Sequence, residues 1–175
     1  MSRFSSNASR TALVGVLSAG CLAFMWLACL MPTGRLGLNA VSGLFPMIAV
    51  MAGGRTAGYC CWAAAAILAL ILMPDKGVAV LFLLFFGIYP VLKSLFELQN
   101  RQFICWGLKF GFFNLVLVMC WVLLRNLFLT QLPAWLSKNW LILLLGNAVF
   151  LIYDIGLTRL IFGLLSRLNM KKHKF

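Results

Sequence analysis

Acidic side chains are nearly absent from this chain of 175 residues: Asp75, Glu97 and Asp154 are the whole supply, and His173 is the one histidine. Catalysis needs a compact set of acid, base, nucleophile or metal ligands, and so small a supply argues against an enzyme. Asp75 falls in an outer turn and Asp154 within the last apolar run, too far apart in depth to act as a carboxylate pair. Zinc asks for four convergent ligands, whereas Cys21, Cys29, Cys60, Cys61, Cys105 and Cys120 lie in or beside apolar stretches with no CxxC spacing among them. There a thiol packs as a small, soft hydrophobe. A Walker A loop is also missing. The chain is expected to hold no metal and no cofactor of its own.

Charge of either sign is scarce. Only 10% of residues are charged and 63% are hydrophobic, against roughly a quarter charged in a soluble domain. The mean hydropathy is +1.01, and a soluble fold of this size has too little interior to hide such a composition. A membrane crossing takes about 20 apolar residues. Punctuation by Pro, Gly and charged residues leaves six runs, at about 11–31, 38–52, 57–73, 78–96, 108–129 and 140–165. The expected fold is a single all-α transmembrane domain, a compact bundle of six helices. The first run continues for about 20 residues and lacks a convincing small-x-small site followed by a mature soluble domain, so it is read as a retained helix.

What charge there is has one sign and one side. With both termini cytoplasmic, eleven of the fifteen Lys and Arg fall on the inner side or inner helix ends. Arg35, Lys76 and Lys138 fall outside, and Arg125 lies within the fifth run. This is the positive-inside pattern, and it accounts for the net charge of +12 without nucleic acid, whose binding would need a basic stripe. The tail Lys171, Lys172 and Lys174 suits contact with anionic membrane lipid.

Within the runs, polar and small residues mark places to watch. Gly15, Ala19 and Ala23 recur every four residues, a strip narrow enough for close approach by another helix, either of this chain or of a partner. The second run, about 15 residues and so about 22 Å long, is interrupted by Gly43 and Pro46 and is expected to be short or broken, with Asn39 at an outer cover. On the fourth run Lys93, Glu97 and Arg101 follow at four-residue spacing and read as an anchored inner helix end. Tyr89 is a cavity candidate one turn before them, with a bend at Pro90. Asn114, Val118, Trp121 and Arg125 share one face of the fifth run, where Arg125 either snorkels outward or contacts a polar solute above a Trp121 wall. Asn147 and Asp154, seven residues apart, share a face of the sixth, with Asn147 near the Arg125 level. A buried carboxylate needs an answer: Lys109 or Arg101 as ion-pair partner, or proton or cation coupling.

The stretch from Met31 through Phe96 carries Pro32-Thr33-Gly34-Arg35-Leu36-Gly37-Leu38, Gly43-Leu44-Phe45-Pro46, Gly53-Gly54-Arg55-Thr56-Ala57-Gly58 and Pro74-Asp75-Lys76-Gly77. In these it resembles the small substrate-binding membrane subunits (S components) of bacterial energy-coupling-factor transporters, and also uncharacterised membrane proteins of related bacteria. That resemblance implies a multi-pass protein of the bacterial cytoplasmic membrane that binds a small vitamin-like nutrient. A separate transmembrane coupling protein and two cytoplasmic ATPases would use ATP to drive it. It also places Gly15, Ala19 and Ala23 at the coupling contact, although Gly15 stands where the family pattern has alanine. By their placement in the runs, and not by the resemblance, Asn39, Tyr89, Asn114, Trp121, Arg125 and Asn147 are the candidate residues of the solute site. A structural or regulatory membrane scaffold is the alternative.

Overall fold

The computed structural model describes residues 7–31, 34–96, 102–128 and 139–172. It is helical apart from short turns between helices, with no strand among the described residues. The helices are α1 (Asn7–Leu30), α2 (Arg35–Ser42), α3 (Leu44–Gly53), α4 (Arg55–Leu72), α5 (Lys76–Leu81), a π-helical turn (Phe82–Phe86), α6 (Tyr89–Phe96), α7 (Gln102–Phe128) and α8 (Asn139–Lys172). Grouped by continuity they make six segments long and apolar enough to cross a membrane. The protein is thus a multi-pass all-α membrane bundle.

The second crossing is longer than expected, and its helix is interrupted at Gly43, between α2 and α3, as expected. It extends over Arg35–Gly53, 19 residues, or about 28 Å at helical rise. The apolar run begins near Leu38, but the helix starts at Arg35, just after Gly34 turns the chain with φ 94°. At Gly43 the backbone stays helical, with φ −65° and ψ −15°, so the join between α2 and α3 is a slight irregularity. Pro46 has no N–H to offer the Ser42 carbonyl. That carbonyl accepts instead from the Cys21 thiol of α1 at 3.5 Å.

Small residues pack the first four crossings together. On α4, Ala57, Cys61, Ala65 and Ala69 repeat every four residues and are at most 5% exposed, so α1 and α3 lie close along it. The matching face of α1 is Ser18, Cys21, Met25 and Ala28, tied to α4 where the Ser18 hydroxyl donates to the Cys61 carbonyl at 3.3 Å. Gly15, Ala19 and Ala23 lie on the other side of α1 and are exposed.

The fourth crossing contains the largest irregularity. Gly87 N–H bonds back five residues to the Phe82 carbonyl at 2.8 Å, which leaves the Leu83 carbonyl without its α-helical donor. The indole N–H of Trp62 supplies one at 3.0 Å. Pro90 likewise withholds a donor from the Phe86 carbonyl. Upstream, the Val78 carbonyl accepts from the buried Asn39 amide at 2.9 Å, which fastens α2 to α5. Asn39 is therefore an interior tie, not an outer cover.

At the start of α5, Asp75 caps the helix by accepting from Gly77 N–H at 2.8 Å. It also pairs with Arg35 at 3.0 Å, with side chains 47% and 33% exposed. The cap carries more energy than the exposed ion pair. Asp75→Ala is expected to cost about 1 kcal/mol, and Arg35→Ala less than about 0.5 kcal/mol. Unfolding in detergent, followed by helical circular dichroism, checks the order of the two.

Candidate functional site

α8 packs along α7 and reaches the fourth crossing through long side chains. Phe150 stacks on Phe113 with ring centroids 4.5 Å apart and meets Tyr89 edge-on at 5.3 Å. Tyr153 lies against Phe85 and Phe86, each at 5.6 Å. The Tyr153 hydroxyl is buried with no hydrogen-bond partner among the described residues.

Beside this aromatic layer lies a buried charge cluster. Tyr89 and Lys93 are 0% exposed, Asp154 2% and Lys109 6%. The Asp154 carboxylate accepts from the Tyr89 hydroxyl at 2.6 Å, from the Lys93 ammonium in close contact, and from the Lys109 ammonium at 3.0 Å. Lys93 also donates to the Asp154 carbonyl at 3.2 Å and to the Thr158 hydroxyl at 2.7 Å. Thr158 in turn donates to that same carbonyl at 2.7 Å. Lys109 lies 5.5 Å above the Trp106 ring, within cation–π range. Three crossings thus meet at one carboxylate. In hydrocarbon an ion survives only when other charges and dipoles replace its water, and here each partner answers another.

The sequence places these groups by two devices. Tyr89 and Lys93 are one α-helical turn apart on α6, as Asp154 and Thr158 are on α8, so each pair shares a face. A π turn carries one residue more than an α turn, and so rotates everything after it by about 100° relative to an unbroken helix. The turn at Phe82–Phe86 therefore sets which way Tyr89 and Lys93 point.

Other residues of interest separate into three groups. Asn114 and Asn147, both candidates for the solute site, meet in a reciprocal amide pair, each Nδ2 3.3 Å from the other's Oδ1. Tyr89 lies in the charge cluster, and Lys109 is the partner of Asp154 there. The side chains of Trp121 and Arg125 lie outside the described residues, as do Glu97 and Arg101.

Lys93 corrects the reading of an anchored helix end, since it turns inward and is fully buried. Sequence reasoning missed it because Glu97 and Arg101 repeat its spacing and drew it into their group. The overlooked signal was Tyr89 with Lys93 on one face of an apolar run. Thr158 was also missed. Its four-residue distance from Asp154 was the available clue. Among the described residues no group of three His, Cys, Asp or Glu gathers to hold a metal. Compared with protein-family models, with curated proteins and with solved structures, the chain matches none.

Proposed function

We propose that the chain is the substrate-binding membrane subunit of an ATP-driven importer for a small vitamin-like nutrient. It has both termini cytoplasmic and no chemistry of its own. A transmembrane coupling protein and two cytoplasmic ATPases supply the energy, in the bacterial cytoplasmic membrane. The observation that carries this reading is the face of α1 at Gly15, Ala19 and Ala23. All three are exposed, and a Cβ added at Gly15 would meet nothing within 4 Å. Packing within the chain uses the opposite face, so the strip is open to close approach by a second membrane protein. The nutrient site lies outward of the Asn114–Asn147 amide pair, towards Trp121 and Arg125, with the basic tail on anionic lipid.

A scaffold without transport activity is the second reading. It is favoured by the way Asn39, Tyr89, Asn114 and Asn147 each bond within the chain. Parallel measurements on Ala19→Leu separate the two. The uptake reading expects co-purification with coupling protein and ATPases to fall on the order of tenfold, about 1.4 kcal/mol, while the small molecule retained by the isolated chain, identified by mass spectrometry, is unchanged. Normal association in both Ala19→Leu and Ala23→Leu would remove this face as the coupling contact. An isolated oligomer that retains no small molecule would favour the scaffold.

A further inference from the structure

The contacts of the Lys93 ammonium have the form of a binding site. A primary ammonium has three N–H donors and no acceptor. Three oxygens of one helical turn meet it: the Asp154 carboxylate, the Asp154 carbonyl at 3.2 Å and the Thr158 hydroxyl at 2.7 Å. Two of the three are oriented independently of Lys93. Thr158 is fixed by donating to the Asp154 carbonyl at 2.7 Å, and the carboxylate is held by Tyr89 at 2.6 Å and Lys109 at 3.0 Å. The oxygen set is thus prepared on α8 by contacts to α6 and α7, and the cation reaches it on a flexible four-carbon stem from α6. A second ammonium, that of Lys109, faces the same carboxylate from α7 at 3.0 Å.

We propose that the Asp154–Thr158 turn is a recognition site for a primary ammonium group, filled in the resting protein by the chain's own Lys93. Its ligand class is a small primary alkylammonium ion. Alkali ions and quaternary ammonium ions, which have no N–H to direct at the three oxygens, are poor substitutes. The inference is independent of the uptake reading, because it concerns the α6–α8 seam and not the α1 face.

Chemical rescue tests it. Lys93→Ala removes three carbons and the ammonium, a propylammonium in outline. The full chain carrying Lys93→Ala, in detergent, is expected to melt at a lower temperature than the parent. Propylammonium chloride should then raise its melting temperature along a saturating curve, as a ligand of the folded state does. Equal concentrations of tetramethylammonium chloride or sodium chloride should do so much less, and the parent should not respond. Adding Thr158→Val, which takes away one acceptor, should move the curve to higher amine concentration. If Lys93→Ala does not fold, Lys93→Met keeps most of the stem and leaves room at its end, and ammonium chloride becomes the probe. Rescue by tetramethylammonium or sodium equal to that by the primary amine would overturn the proposal, as would no amine response in a folded variant. A readout on the unaltered chain is the rate of reductive methylation. Lys93 is expected to resist while the exposed Lys76 reacts, and equal rates would overturn the site.

Discussion

Asp154→Ala is expected to lower the unfolding free energy by about 3–5 kcal/mol, the usual cost of removing one partner from a buried ion pair. The loss comes less from forfeited attraction than from what is left behind. Lys93 and Lys109 would stay in an apolar interior with the carboxylate that replaced their water gone. Tyr89, whose hydroxyl donates to Asp154 at 2.6 Å, would also lose its acceptor. Asp154→Asn keeps the shape and one acceptor oxygen, and should cost less than the alanine variant. Replacing these three ions with apolar residues, as in Lys93→Met, Lys109→Met and Asp154→Leu together, should recover much of the loss, because none of the three then needs an answer. Reversible unfolding in mixed micelles measures all three. A cost below about 1 kcal/mol for Asp154→Ala would mean that the cluster behaves as a solvated surface pair.

Gly43→Ala should be the most damaging addition of a single methyl group. A Cβ at this position would fall on the backbone carbonyl oxygen of Phe86, well inside contact distance. Backbone cannot rotate aside as a side chain can, so the second and fourth crossings would have to part. Overpacking of this kind costs about 1–3 kcal/mol. Alanine is the better helix former by about 1 kcal/mol, and Gly43 has helical dihedrals, so the two effects oppose each other and the clash is expected to win. Gly15→Ala is the matched control. It is helical too, but a Cβ there meets nothing within 4 Å, so only the propensity gain remains, up to about 1 kcal/mol of added stability. Melting temperatures of the two variants should therefore move in opposite directions, and a stabilising Gly43→Ala would remove the close crossing.

Much of the fold was legible in the sequence because hydrocarbon imposes a simple rule on length and polarity. Six apolar runs gave six crossings, and a carboxylate in such a run demanded a counterion, which pointed to Lys109 or Arg101. Helix starts were less legible. Arg35 opens the second crossing because Gly34 can take a positive φ, a backbone event that hydropathy does not record. The orientation of Lys93 was hidden for a stronger reason. Periodicity assumes constant rotation per residue, and the π turn at Phe82–Phe86 resets it. What holds that turn is tertiary: the Trp62 indole satisfies the Leu83 carbonyl, and Trp62 lies 21 residues away in sequence. The small strip on α1 was visible by spacing alone. Which way it faced depended on the alanine and cysteine face of α4.

The two kinds of helix contact in this bundle set opposite rules for inheritance. Along α4, where Ala57, Cys61, Ala65 and Ala69 let neighbours approach closely, selection acts as a ceiling on side-chain volume. Descendants can exchange alanine, glycine, serine and cysteine there, but a leucine would be purged. Across the seam to α8, where Phe85, Phe113 and Phe150 fill the gap with rings, selection acts as a floor, since any smaller residue opens a void. Lineages should therefore drift by substitution among small residues in one half and among large ones in the other. A mutation that trades volume between the halves would have no neutral path.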